Sequence, residues 1–464
     1  MKSNRRKFLK ATSIASVGLA GIFSSAAVQA APVAGNRKQR FNMCGFRAPK
    51  LETVRIGFIG LGNRGPGAVQ RMSKIEGVDV RGLCDVRPER NEVALKVLEG
   101  TNQKPELFSG SEEAWKRMVD RADIDLIYIC TPWHLHAPMA VYAMEQGKHV
   151  CIEVPAAKTV EECWQLVETS ERTKKHCVIL ENCCYDFFEL LTLNMSRQGL
   201  LGEIIHGEGA YNHDLLQANF RKGAYHDMWR LKENMRNGNL YPTHGLGPVA
   251  QVLDINRGDR MDYLVATSTN DFSMKPLAQE LAAKDDFYKP YAAKNYRGNM
   301  NITTIRTVNG KTILLEHDVS TPNIYSRIFK ISGTKGSVLK YPDPPRIAFG
   351  DEDWVNAEEF KKLEERYQPA IVKRVGELAK QVGGHGGMDF LMDWRIIDCL
   401  RNGLPMDMDV YDAATWSAVA PLSETSVAKR SASVDVPDFT GGSWKTNAPV
   451  DISLQEGGNT KVKL

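Results

Sequence analysis

Tyr241 and His244 stand three residues apart in the stretch Asn239-Leu240-Tyr241-Pro242-Thr243-His244-Gly245-Leu246-Gly247-Pro248. On a first helical turn, or in a tight loop entering a helix, two side chains at this spacing point the same way. A phenol and an imidazole held together supply a general acid and a general base near neutral pH. A second stretch has a different chemistry. Gly60-Leu61-Gly62-Asn63-Arg64-Gly65 follows the apolar run 54–59 and precedes a segment, 66–74, that reads as helix. In a strand–turn–helix unit the first glycine permits the tight turn. The second lets a pyrophosphate approach the backbone, and the third lets helix and strand pack closely. Phosphates then rest on the unpaired N–H groups at the positive end of the helix. Asp85 closes the next apolar run, 20 residues past Gly65, where a carboxylate can accept from a ribose hydroxyl. That carboxylate favours NAD, because it would repel the 2′-phosphate of NADP. Arg87 and Arg90, close by, pull the other way.

These groups need elements to position them. Residues 78–84, 125–130, 148–152 and 176–180 are short apolar runs, several of them continuous, as strands buried on both faces of a parallel sheet are. Between them, residues 91–98, 111–120, 138–146 and a segment capped by Thr159 or Glu161 and reaching 173 read as helices. Strands alternating with helices predict a doubly wound parallel sheet over 54–185. Ligands of such sheets bind beyond the carboxyl ends of the strands. This places Gly62, Asn63, Arg64, Asp85, Trp133, His136, Glu153, Val154 and Asn182 around one crevice. The second part of the chain, 186–464, predicts an α+β domain. Residues 203–211, 263–269, 301–308, 311–320 and 326–332 alternate as strands, with polar turns such as Asn309-Gly310 between them. One face of that sheet should stay wet or meet a partner. Residues 275–294 read as a solvated excursion and 341–346 as a proline-rich loop. Residues 388–400 and 412–428 read as amphipathic helices able to pack back across the first domain.

With 464 residues, 42% hydrophobic and 25% charged, the composition is that of a globular enzyme of two or three domains. The net charge of +4 comes with no long basic face, so nucleic acid is not the expected partner. Nine cysteines show no CxxC pair and no zinc-like spacing; most read as small buried apolar residues, and no metal site is expected. Asn4-Arg5-Arg6-Lys7-Phe8-Leu9-Lys10, a mild apolar stretch and the small residues around Val28-Gln29-Ala30 resemble a twin-arginine export signal over 1–31. Residues 32–53 then form an extended arm. A periplasmic location follows from such a leader. The resemblance also implies export of an already folded protein, so the cofactor would travel inside it and be regenerated in every turnover.

The glycine turn, Thr131-Pro132 with His136, Gly147-Lys148-His149-Val150 and Glu153-x-Pro155 together resemble the Gfo/Idh/MocA oxidoreductase family over residues 54–185. That resemblance implies a second domain built on an open, mainly antiparallel sheet, through which copies of the chain could associate. The family usually has Glu-Lys-Pro, its lysine assisting proton transfer. Here Val154 stands in that place and can move no proton. Tyr-Pro-Thr-His-Gly-Leu-Gly-Pro, the Glu153-Val154-Pro155 variant, the Asn63-Arg64 pair and the leader closely resemble glycoside hydrolase family 109, the NAD-dependent α-N-acetylgalactosaminidases. This resemblance runs over nearly the whole mature chain. It implies NAD contacts at Gly60, Gly62, Asn63, Arg64, Asp85, Trp133, His136, Glu153, Val154 and Asn182. It implies sugar contacts at Tyr211, Arg230, Tyr241, Pro242, Thr243, His244 and Tyr325, with His213 and the Gly383-Gly384-His385-Gly386-Gly387 loop bordering the pocket.

Most glycosidases use two carboxylates at a set separation, and NAD-dependent ones are an exception. No carboxylate pair stands out here. The expected cycle is redox-neutral: oxidation at C3, elimination of the aglycone, addition of water and re-reduction. Tyr241, His244 and Tyr211 are the expected proton carriers, and Arg230 the partner of the acetamido group. Two other readings are a periplasmic sugar dehydrogenase with net NADH output and a non-catalytic sugar-binding protein that keeps NAD.

Overall fold

The computed structural model describes residues 37–464. The leader and the first residues of the arm lie outside the described residues. The first sheet contains β1 (Val54–Ile59), β2 (Val78–Cys84), β3 (Glu106–Phe108), β4 (Leu126–Ile129), β5 (His149–Ile152) and β6 (Cys177–Ile179). Its order is β3-β2-β1-β4-β5-β6 and every pairing is parallel. β4, β5 and β6 are buried at every position, as continuous Val/Ile/Leu-type runs require when helices cover both faces. The strand order reverses between β1 and β4, so their carboxyl ends diverge and open a crevice. Helix Val160–Thr173 starts at Thr159, whose hydroxyl accepts from Glu162 N–H in a capping box. Helix Pro88–Lys96 starts earlier than its apolar pattern indicates, because Pro88 is preset for the first turn.

The second sheet contains β7 (Ile204–Asn212), β8 (Met261–Ser268), β9 (Asn301–Thr307), β10 (Thr312–Asp318), β11 (Lys330–Gly333), β12 (Ser337–Leu339), β13 (Arg346–Ala348) and β14 (Val434–Asp435). Its order is β13-β12-β11-β7-β10-β9-β8-β14, antiparallel except where β7 runs parallel to β10. β9 alternates strictly between buried and exposed residues. Helix Val410–Ala428 covers one face, Ser426 Oγ accepting from Ala266 N–H at 2.9 Å. Ile205, Tyr263 and Ile302 remain exposed on these strands.

Some boundaries differ from the sequence reading. The strand expected at 326–332 begins only at Lys330, because Ile328 and Phe329 adopt positive φ and break the extended run. The excursion at 275–294 folds into helices Met274–Ala282 and Lys289–Ala292. The short strands β3, β12, β13 and β14 carry too few residues to show a period of their own. The arm binds along the body, with Arg40 N–H donating to Glu171 and Leu51 N–H to Leu400. No helix among the described residues is long and apolar enough to cross a membrane.

Candidate active site

The glycine turn is close-packed where helix and strand meet and open where a ligand would approach. A Cβ on Gly60, which has φ +88°, would lie 2.7 Å from the Cys130 carbonyl carbon. One on Gly65 would lie 2.3 Å from Gly60 O. At Gly62 a Cβ would meet only Arg87, at 3.8 Å. Helix Gly65–Ser73 begins at Arg64 without a side-chain cap, so its first N–H groups suit an anion. Asp85 accepts from Leu61 N–H at 2.8 Å and Arg87 N–H at 3.0 Å. Arg90 donates to Leu61 O at 2.8 Å and to Gly62 O at 2.5 Å. Both nearby arginines therefore serve the turn itself, Arg87 also donating to Asp85 from Nε. The Thr131 hydroxyl, at the end of β4, is buried without a partner. The open Gly62 face, the uncapped helix start and this orphaned hydroxyl fit a dinucleotide.

Around this turn the residues named from sequence take distinct places. His136 is buried, with its ring nitrogens 2.7 Å from Pro155 O and 2.8 Å from Thr131 O. Burial lowers its pKa. It ties the loops after β4 and β5 together behind the crevice. Glu153 accepts from Arg64 Nε at 3.0 Å, and Val154 beside it is buried. Asn63 donates to Ala224 O at 3.1 Å, and Asn182 donates to Asp389 Oδ1 at 2.5 Å. Asn63 and Asn182 thus bridge the glycine turn and the end of β6 to the second domain.

The second domain brings an aromatic cluster to the same place. Tyr241 stacks on Trp133, with centroids 5.5 Å apart and planes 22° apart. Tyr211, from β7, lies 4.6 Å from the Tyr241 ring, and His244 lies 4.9 Å from Tyr241 and 5.5 Å from Tyr211. Tyr325 stands edge-on to Tyr211 at 6.2 Å. The Tyr211 hydroxyl is 3.1 Å from His213 Nδ1. Arg230 sits over three rings, Tyr225 and Tyr241 at 5.4 Å each and Trp133 at 5.7 Å. Its guanidinium meets π faces here, an arrangement Arg favours.

Glycines explain how Tyr211 reaches Tyr241 and His244. Helix Thr243–Val252 lies against β7 at backbone distance: a Cβ on Gly209 would stand 2.4 Å from Gly245 O, and one on Gly245 2.4 Å from Ala210 N. Leu240 N–H donates to His317 Nδ1 at 3.1 Å and Asn239 N–H to Ser423 Oγ at 2.8 Å, fixing the loop that carries Tyr241. Pro242 precedes the helix as its N-cap, and Thr243 is fully buried in its first turn.

Glu181 was not singled out from sequence, yet it completes the site. It is fully buried at the end of β6, and its two oxygens lie 2.7 and 3.0 Å from His244 Nδ1. Burial acts to raise the carboxyl pKa. The His244 imidazole and local hydrogen bonds overcome that and hold it below the usual value. An ionised carboxylate only accepts, so the His244 Nδ1 that faces it carries a proton. The Cys183 thiol is close, its donor atom within 4.8 Å of those of Glu181 and His244. Burial pushes that thiol up, and Glu181 also accepts from Cys183 N–H at 3.1 Å. Burial likewise pushes up the phenols of Tyr241 and Tyr211, keeping both protonated. The only sequence signal for Glu181 was its place at the carboxyl end of a strand. Tyr225 and Asp389 were missed as well. The carboxylates nearest the crevice are all engaged: Glu153 by Arg64, Glu181 by His244, and Asp389 by Asn182 and His385.

Residues 185–446 match the family model for the C-terminal domain of glycosyl hydrolase 109, and residues 54–181 that of the oxidoreductase family with an NAD-binding Rossmann fold. An alpha-N-acetylgalactosaminidase from Bacteroides fragilis is 50% identical over 413 residues, covering 87% of this chain and 96% of the relative. A glycosyl hydrolase family 109 protein from Solibacter usitatus is 46% identical over 456 residues, covering 97% of this chain and all of the relative. Among solved structures, a levoglucosan dehydrogenase in complex with NADH and levoglucosan superposes with a TM-score of 0.62 at 19% identity. It covers 83% of this chain and 100% of its own, a likeness of fold.

Proposed function

Because the chain belongs to glycosyl hydrolase family 109, we propose that it hydrolyses terminal α-N-acetylgalactosamine from glycans and glycosides by a redox-neutral, NAD-dependent cycle. The observation that carries this reading is the stacking of Tyr241 on Trp133. It joins a phenol–imidazole pair to the crevice of an NAD-type fold, while every neighbouring carboxylate is held by another side chain. Among the described residues, Glu153, Glu181 and Asp389 are each paired with another side chain, an arrangement unlike the two set-apart carboxylates of most glycosidases.

The dinucleotide would lie along Gly60, Gly62, Asn63 and Arg64, with Asp85 at its ribose and Trp133, His136, Glu153, Val154 and Asn182 framing the rest. Bound NAD would supply a reversible hydride acceptor for the sugar C3–H, which acidifies the C2 proton for elimination of the aglycone and later water addition at C1.

The chain's own residues then have defined tasks. His244 Nε2, with its lone pair, is the base. The Glu181 carboxylate at Nδ1 holds that tautomer and stabilises the imidazolium formed when a sugar proton is taken. Tyr241 and Tyr211 enter as neutral phenols, which suits them to donate to sugar oxygens and return protons. Arg230 is the proposed partner of the acetamido carbonyl, and Tyr325 and Pro242 shape the remaining wall, with Thr243 buried behind it. Val154 offers no group for the proton transfer that net dehydrogenation requires.

The leader at 1–31 supports twin-arginine export to the periplasm, which a captive, recycled cofactor makes workable. The exposed Ile205, Tyr263 and Ile302 support association of copies through the open sheet. The decisive experiment gives purified protein p-nitrophenyl α-N-acetylgalactosaminide in heavy water with no added cofactor. Nitrophenol release with deuterium at C2 and no accumulating NADH is expected. Hydrolysis that keeps all C2 protium, or steady NADH formation from free sugars, would overturn the reading.

A further inference from the structure

The turn at the end of β6 brings a third donor atom to the His244–Glu181 pair. Glu181 accepts from Cys183 N–H at 3.1 Å, which curls the chain into the short turn Asn182–Tyr185. His244 arrives from helix Thr243–Val252, with Nδ1 at 2.7 and 3.0 Å from the two Glu181 oxygens. One oxygen of Glu181, the Cys183 sulfur and a ring nitrogen of His244 all lie within 4.8 Å of one another. Among the described residues no other three His, Cys, Asp or Glu side chains meet in this way.

The trio is braced from behind. Gly247, one helical turn past His244, lets the helix press directly onto the turn. A Cβ there would stand 2.7 Å from Glu181 Cγ and 3.0 Å from Cys184 Sγ. Glu181 and Cys183 are fully buried, while the His244 side chain is 15% exposed, so the way in is from the crevice. Carboxylate oxygen, imidazole nitrogen and thiolate sulfur are the donors that zinc takes, at about 2.0 to 2.2, 2.0 to 2.1 and 2.3 Å. At the spread seen here a single ion reaches all three after small side-chain shifts, with a fourth position left for water. Magnesium and calcium prefer oxygen sets and match this one poorly.

We propose that Glu181, Cys183 and His244 form an inhibitory site for a thiophilic divalent cation, Zn²⁺ or its spectroscopic stand-in Co²⁺. Binding makes one metal–oxygen, one metal–nitrogen and one metal–sulfur bond. The N–H bond at His244 Nδ1 and the Cys183 S–H bond break, and both protons pass to solvent; no electron moves. An imidazole already bound to a dication is a poor acceptor of a further proton, and Glu181 is drawn to the ion. The site stands on geometry alone. Its inhibitory effect rests on the reading of His244 as the base.

The test uses full-length wild type and Cys183→Ala, both freed of metal with a chelator that is then removed. Each is titrated with Co²⁺ and followed by absorption. Hydrolysis of p-nitrophenyl α-N-acetylgalactosaminide is then measured across a Zn²⁺ series, each protein against its own metal-free rate, with Mg²⁺ as the hard-ion control. Wild type should show a thiolate-to-cobalt charge-transfer band that Cys183→Ala lacks. Half-inhibition by Zn²⁺ should need at least about tenfold more metal in Cys183→Ala, since losing a ligand costs no less than losing an outer partner. Mg²⁺ should not inhibit either protein. Cys183→Ser keeps the volume and gives the same comparison where the alanine variant does not fold. Wild type without the band, or Zn²⁺ inhibition equal in both proteins, would overturn the site and leave the glycosidase reading intact. A band with hydrolysis undiminished at saturating Co²⁺ would overturn the inhibition and, with it, His244 as the base.

Discussion

His244 takes its working form from a residue 63 positions away. Its imidazole is 15% exposed and Glu181 is fully buried, so the pair is screened less than a surface contact and holds one tautomer. Replacing His244 by Ala removes the base and leaves Glu181 as a buried carboxylate without its imidazole. The expected loss in kcat is about 10² to 10⁴-fold, with C2 deuterium exchange lost in parallel and dinucleotide content unchanged. Glu181→Gln keeps the shape but not the charge that stabilises the imidazolium. It should lower kcat while leaving KM near its original value, read from steady-state kinetics on the aryl glycoside. A rise in KM alone would mean that Glu181 shapes the sugar pocket rather than the base.

At the scale of elements, the site depends on one strand and one helix touching through glycines. β7 carries Tyr211 and helix Thr243–Val252 carries His244; Gly209 and Gly245 let their backbones meet. Gly209→Ala places a methyl group 2.4 Å from the Gly245 carbonyl oxygen, and both partners are backbone. The helix must shift. The expected destabilisation is about 1 to 3 kcal/mol, measured by denaturant unfolding. Hydrolysis should fall further than stability alone accounts for, because Tyr211 and His244 move apart. The glycine turn of the first domain, by contrast, lies beyond this contact and should still bind NADH in that variant.

The two domains are fastened at the scale of the whole molecule by ionised groups. Arg71 Nε donates to Asp393 at 2.8 Å, and Arg401 Nη1 to Glu76 at 2.9 Å. The C-terminal segment adds a bridge between Ile75 and Val462. Asp389 and Glu181 both have folded-state pKa values below their ordinary ones. Each therefore contributes stability that is present above an unfolded pKa of about 4 and is lost as pH falls through the depressed folded value. Acid should loosen the contacts of Asp389 and Glu181 together, whereas the Asp393 carboxyl, pushed up to about 6 by burial, has the opposite linkage. In Asp389→Asn one of these titrations is gone, so its unfolding free energy should fall less steeply than that of wild type as pH drops below about 4. Parallel acid-unfolding curves for the two proteins would show that Asp389 carries no such linkage.

The first sheet was legible because its signals are local. Strand, glycine turn, helix and acid follow one another within a few tens of residues, and continuous apolar runs mark strands buried on both faces. The Tyr241–His244 pair was legible for the same reason, since Tyr241 directly precedes the helix whose first turn carries His244, though distant His317 and Ser423 fix the loop that holds Tyr241. What the chain alone did not disclose is who faces whom across long separations. Glu181 and His244, Asp389 and Asn182 (207 residues apart), and the stacking of Trp133 on Tyr241 have no spacing to read. An isolated carboxylate in a sequence is only a charge. Burial decides its proton affinity and packing decides its partner, and both arise when two domains close on one crevice. Local chemistry was therefore written in the order of residues, while the pairing that turns it into a working site came from the tertiary fold.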